Sequence, residues 1–154
     1  MCYAKRPSSI NIQLYIVSVD TQSSVFFTAD TPTSKTLTSG QDVIFQRTIS
    51  NEGSGYNATT GRFTCTIPGL YLFTIQHCVE TGRHSHMKIV KNDLRLMVGA
   101  VCGATGGPGP CTTVQAYVRL QAGEHIWARA SYASYLYDDV NRMNAFSGAL
   151  IQKN

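Results

Sequence analysis

VIFQRTISNEGSGYNATTGRFTCTIPGLYLF, residues 43–73, decides how the whole chain is read. Phe63, Cys65 and Ile67 alternate with Thr64 and Thr66. That is the period of two by which a strand shows one face to a core and the other to water. Thr60-Gly61 and Pro68-Gly69 are turn dipeptides on either side of this strand. The second predicts a type II turn with positive φ at Gly69. Beyond it Tyr71 and Phe73 fall two apart, on one face of the next strand.

The same pattern continues in both directions. Val114, Ala116, Val118 and Leu120 alternate with Thr113, Gln115, Tyr117 and Arg119. Further strands are predicted at 10–19, 25–29, 43–49, 70–76, 87–91, 94–101, 125–132 and 146–152, and no apolar stripe has helical spacing. Asn92-Asp93, Ala122-Gly123 and the run GATGGPGP at 103–110 separate them. Many short strands broken by Gly and Pro mean a sandwich or a barrel, with under about 5% helix. Gly148, between Phe146 and Leu150, predicts a strand on which another backbone packs closely. A chain of 154 residues has room for one domain with a full core.

Charged residues make up 14% of the chain, against roughly 25% in an average soluble domain. Ser, Thr, Asn, Gln and Tyr take their place, a surface commoner outside cells than in the cytosol. The net charge of +4 is too small to argue for nucleic acid. No run approaches the ~20 apolar residues of a membrane helix, so no membrane insertion is expected. Asn11 and Gln13 interrupt the apolar run near the N-terminus, which makes a poor signal peptide. None of the five cysteines forms a Cys-x-x-Cys pair, which argues against a zinc or redox motif. An odd count leaves at least one thiol free or bonded to another chain. His77 and Cys78 are adjacent on a strand and point to opposite faces, so they cannot form a thiol–imidazole pair. GATGGPGP lacks the Lys-Ser/Thr of a phosphate loop, and no nucleophile elbow occurs. Neither catalytic residues nor a cofactor are expected.

Taken in order, the motifs resemble the globular C1q domain, a relative of the tumour necrosis factor jelly roll. Val43-Ile44-Phe45, Asn51, Gly55-Tyr56, TGRFTC at 60–65 and PGLYLF at 68–73 carry the likeness. VFFTA at 25–29 looks like the family's first strand and Lys91-Asn92-Asp93 like its mid-domain turn. LQAGEHIW at 120–127 and FSGALI at 146–151 resemble its later strands. The likeness covers residues 24–152. It implies an all-β jelly-roll sandwich of two antiparallel sheets that assembles as a homotrimer of about 50 kDa. Residues 24–154 would be the globular C1q-like domain and 1–23 an N-terminal extension or extra strand, in a stand-alone head without collagen stalk, of the kind that includes sialic-acid-binding lectins. The implied function is a secreted innate-immune lectin or pattern-recognition protein that binds acidic or sialylated glycans or microbial surface polyanions. The alternative is a cytokine-like or extracellular-matrix ligand for protein partners. Relatives hold calcium through acidic residues of a long loop equivalent to 99–113; here it contains no Asp or Glu, so no metal is expected.

Two groups of residues suit an acidic sugar. Arg83, His84, His86 and Lys88 gather basic side chains in one turn and the strand it enters. His84 and His86 share a face and could chelate a metal, but no third ligand is visible and Arg83 would repel a cation. Tyr135, Tyr137, Asp138 and Arg142, with Tyr132, Asp139 and Asn141, offer rings for the apolar patches of a sugar and polar groups for its hydroxyls. A guanidinium at Arg142 could hold a carboxylate in a bidentate bond. Asn57-Ala58-Thr59 is an N-glycosylation sequon in a predicted surface turn. Cys102 and Cys111 bracket eight residues at the mouth of a predicted hairpin and are a candidate disulfide. The family resemblance offers Cys78 as a competing partner for Cys102, and matches Cys65 to a buried cysteine that stays reduced.

Overall fold

The computed structural model of the chain describes residues 24–107 and 109–154. The strands are β1 (Phe26–Pro32), β2 (Thr36–Leu37), β3 (Asp42–Val43), β4 (Phe45–Glu52), β5 (Tyr56–Asn57), β6 (Arg62–Thr64), β7 (Gly69–Cys78), β8 (His84–Lys91), β9 (Leu94–Cys102), β10 (Cys111–Leu120), β11 (His125–Ala130), β12 (Ser134–Tyr135) and β13 (Ala145–Lys153). No helix occurs among the described residues. One sheet runs β10-β7-β13-β1-β4 and the other β5-β6-β11-β8-β9, with β3 alongside β11 and a small β12–β2 pair at one end. The pairings are antiparallel, and the two sheets pack as the jelly-roll sandwich expected. The strand predicted at 10–19 and the extension 1–23, which holds the fifth cysteine, Cys2, lie outside the described residues. The two-residue strands β2, β3, β5 and β12 are too short to show a period, and the alternation of the sequence does not predict them.

Alternate residues of β7 and β8 enter the space between the sheets. Tyr71, Phe73 and Ile75 come from one sheet, and Met87 and Ile89 from the other. Phe27 is the hub of the aromatic core, 4.6 Å from Tyr56, 5.4 Å from Phe63 and 5.0 Å from Phe146 between ring centroids. Gly148 is confined for a reason other than the one predicted: a Cβ there would lie 2.5 Å from the Phe73 ring and 2.7 Å from that of Phe27. Aromatic rings, rather than a second backbone, demand the glycine.

Two local expectations are corrected. Gly69 does not adopt positive φ; it opens β7 as extended chain. Its constraint is close approach, since a Cβ would fall 2.3 Å from the carbonyl oxygen of Gln152 on β13. Cys102 and Cys111 are not joined. β9 and β10 belong to different sheets, so they do not form the predicted hairpin. Cys111 pairs across the ladder with Cys78, to which it is disulfide-bonded, while Cys102 lies opposite His84. Cys102 is exposed and free, so Cys78 is not its partner either. Cys65 is buried and free, and its thiol donates to the carbonyl of Ile67 at 3.2 Å.

Candidate ligand-binding face

On β8 the inward side chains Ser85, Met87 and Ile89 are buried, which turns His84, His86 and Lys88 outward. Arg83, in the turn before it, lays its guanidinium 4.6 Å over the Tyr135 ring. The His84 ring meets Tyr135 edge-on at 5.5 Å and His86 at 5.5 Å. Tyr132 lies 5.7 Å from His86 and 6.5 Å from His84, with most of its own surface in water. Ser134 ties the two segments together. Its buried hydroxyl accepts the backbone N–H of His86 at 2.8 Å and donates to the carbonyl of Tyr132 at 2.9 Å. Cation–π and ring-edge contacts thus bring Tyr132 and Tyr135 onto the basic group formed some fifty residues earlier.

Directly beneath, His77 and Ser85 are buried and share a hydrogen bond of 2.9 Å through His77 Nδ1. His77 Nε2 has no partner. Burial, aided by the charge of His86, pushes the imidazole down to about 4. The ring is held neutral by lack of solvent.

The second group of candidates is arranged differently. Arg142 donates from Nε and Nη2 to Asp139 Oδ2 at 3.0 and 2.5 Å, and from Nη1 to the carbonyl of Gly109 at 2.8 Å. The same guanidinium lies 4.5 Å over the Tyr137 ring. Arg142 holds the Asp139 carboxyl below its ordinary range and is itself stabilised as a cation. Asp138 accepts the Asn144 backbone N–H at 2.8 Å and pairs with Lys35 at 3.4 Å. Glu80, Thr81, Gly109, Tyr137 and Arg142 line a cleft of about 300 Å³. Arg142 has therefore already met its carboxylate, through two donors on one oxygen, and Tyr137 its cation. The structure separates Tyr137, Asp138 and Arg142 from Tyr135, which joins Arg83, His84 and His86.

Around the basic group the outer face of the six-stranded sheet carries residues that sequence reasoning did not single out. Arg62 lies 4.0 Å over the Trp127 ring and Arg129 5.3 Å from it. Asp42 accepts Trp127 Nε1–H at 2.9 Å and Arg129 Nε at 2.5 Å. Only strand register shows that these residues share a face with β8. On the far edge, Asn57 Oδ1 accepts the backbone N–H of Thr59 at 2.8 Å and of Thr60 at 3.3 Å, with the side chain exposed.

A match to the C1q domain runs over residues 25–151, nearly all of the described chain. The chain belongs to the C1q domain family. It is 32% identical over 111 residues to complement C1q tumor necrosis factor-related protein 5 of Rattus norvegicus, covering 70% of this chain and 44% of that one. It is 28% identical over 109 residues to a complement C1q subcomponent of the same organism, covering 71% and 43%. The chain thus spans less than half the length of these relatives. Among solved structures, the globular domain of zebrafish complement 1qA superposes with a TM-score of 0.62 at 19% identity, over 84% of this chain and 99% of that one. Murine APRIL does so with a TM-score of 0.60 at 12% identity, over 83% and 99%. These two establish the shared jelly roll, and nothing beyond it.

Proposed function

We propose that this chain is a secreted, non-enzymatic recognition head that assembles as a homotrimer and binds acidic glycans, sialylated ones first. Membership of a family with complement C1q relatives supports an extracellular recognition or signalling role. The observation that carries the glycan reading is the Arg83 guanidinium stacked on Tyr135 beside His84, His86 and Tyr132. A stacked guanidinium keeps its edge donors free for a carboxylate, and an exposed ring next to it can cover the apolar patch of a sugar. The Arg142 cluster has engaged the same two elements with each other, so it supports the loop rather than the ligand.

Each site would be weak, in the ~0.1–1 mM range. Three copies on a trimer would raise the apparent affinity for a decorated surface. The test measures binding to a sialoglycoprotein surface before and after sialidase, with Arg83→Ala and Arg142→Ala beside the parent. Sialidase and Arg83→Ala should each reduce binding at least tenfold, while Arg142→Ala should act mainly on stability. Binding indifferent to sialidase and to Arg83→Ala would overturn the reading in favour of a neutral sugar or a protein partner.

A further inference from the structure

Register sorts the outer face of the six-stranded sheet into rows. Arg62, Trp127, Val90 and Arg95 stand side by side on β6, β11, β8 and β9. Next to them run Arg129, Lys88 and Val98, then His86 and Ala100, then His84 opposite Cys102. Trp127 Nε1 and Arg62 both reach Asp42 on this face, while the neighbours Ile126 and Ala128 enter the core. Five Arg and Lys side chains (Arg62, Lys88, Arg95, Arg129 and Arg83 in the adjoining turn) thus share the face with two carboxylates. Both carboxylates are committed: Asp42 bonds Arg62 and Arg129, and Asp93 bonds Arg129. Among the described residues, Arg83, Lys88 and Arg95 have no carboxylate partner.

These three cations lie along one line. Residues two apart on a strand are about 6.6 Å apart, so the line from His84 past Lys88 to Val90, with Arg95 beside it, is about 20 Å long. A terminal acidic sugar touching Arg83 and Tyr132 would leave Lys88 and Arg95 unused. From Lys88 to Arg95 the face presents Val98, with no exposed ring among the described residues of that stretch on which successive bases could stack.

We infer that β8 and the adjoining edge strand β9 form a track for a linear polysaccharide bearing repeated strongly acidic groups, entered at the Arg83–Tyr135 end and followed past Lys88 to Arg95. This rests on the acidic-glycan reading above and extends it from one residue of sugar to a chain. A polyanion displaces its counterions as it meets fixed cations, so affinity falls steeply with salt, by about one unit of log–log slope per contact.

The experiment measures binding of size-fractionated heparin oligosaccharides and of a single sialylated trisaccharide to the whole protein, at several salt concentrations. Affinity for heparin should rise with oligosaccharide length until the chain spans the track, then level off. Arg95→Ala should weaken the long oligosaccharide about fivefold at low salt and lower its salt slope by about one, and Arg95→Lys should restore the slope. The trisaccharide should not sense either change. Length-independent binding that ignores Arg95→Ala but still needs Arg83 would sink the track and leave the acidic-glycan reading standing. A parent that binds neither heparin nor the trisaccharide, or whose binding of both ignores Arg83→Ala, would sink both. Equal capture of single-stranded DNA of matched charge would also overturn it, since the face would then read charge without sugar.

Discussion

Cys111 lies directly opposite Cys78 in the ladder between β7 and β10, and a disulfide joins them across a sequence separation of 33. β10 is an edge strand that reaches its sheet only after the chain has crossed from β9 in the other sheet. The bond therefore fixes the end of that crossing. On the chain-entropy model a loop of this size contributes about 3–4 kcal/mol. Cys78→Ser and Cys111→Ser should each lower the melting temperature by about ten degrees or more, and Cys102→Ser should leave it unchanged. Peptide mapping under non-reducing conditions should recover the Cys78–Cys111 pair, and a Cys102–Cys111 peptide would refute the assignment.

His77 makes a second stability prediction, this one dependent on pH. Its folded value is pushed down to about 4, chiefly by burial, while an unfolded histidine titrates near 6.5. Below the unfolded value the unfolded chain takes up a proton that the folded one refuses. Stability is therefore unaffected by this group near pH 7 and falls as pH drops from about 6.5 towards 4, by on the order of 2–3 kcal/mol. Urea midpoints at pH 7 and pH 5 should show the loss in the parent. His77→Gln keeps a partner for Ser85 and should flatten it. An equal loss in both proteins would place the acid sensitivity elsewhere.

How much of this is legible in the sequence depends on the residue. Period-two alternation locates the long strands to within a few positions, because each has one face in the core; β7 and β10 are the clearest cases. Alternation says nothing about which strands become neighbours. Cys102 and Cys111 resemble the mouth of a hairpin because they are close in sequence, and only the sheet order separates them. Gly69 follows a proline and has the marks of a turn residue, whereas its constraint comes from Gln152, far along the chain. The basic residues of the ligand face are visible as types, since Arg83, His84, His86 and Lys88 are consecutive or alternate. Their union with Tyr135 and Tyr132, and the pairing of Arg142 with Asp139, depend on loop packing that leaves no local signature.

The five-stranded sheet offers a surface for the proposed trimer. Phe26, Ala149, Leu72 and Tyr117 form one cross-strand row over β1, β13, β7 and β10, with Phe26 40% and Tyr117 70% exposed. Leu94 and Met97, outside the rows that carry Lys88 and Val98, add exposed apolar surface on the neighbouring edge strand β9. One surface of this kind packed on a different surface of the next copy generates a closed ring, as a three-fold trimer requires. Sedimentation of the parent should give about 50 kDa, three times the 16.8 kDa chain. Tyr117→Asp should shift it to the monomer without loss of the strand signal in the far ultraviolet. A parent that sediments as a monomer at micromolar concentration would contradict the trimer.

Asn57 yields the last prediction. It sits on β5, the edge of the six-stranded sheet farthest from β9, opposite Arg62 in the β5–β6 pair. Its Oδ1 is engaged by the N–H groups of Thr59 and Thr60, which leaves the Nδ2 amide, the atom that carries an N-linked sugar, facing water. Three strand spacings, about 14 Å, separate β5 from β8. A glycan here would cover an open edge that could otherwise pair with another chain, while standing clear of Arg83 and of the Tyr117 row. Protein secreted from animal cells should therefore lose mass on treatment with a peptide N-glycosidase, and Asn57→Gln should remove that loss. The Asn57→Gln protein should still form trimers and keep its affinity for acidic glycan, but aggregate faster on storage. If the secreted protein carries no sugar at this position, the exposed Asn57 is a turn residue and no more.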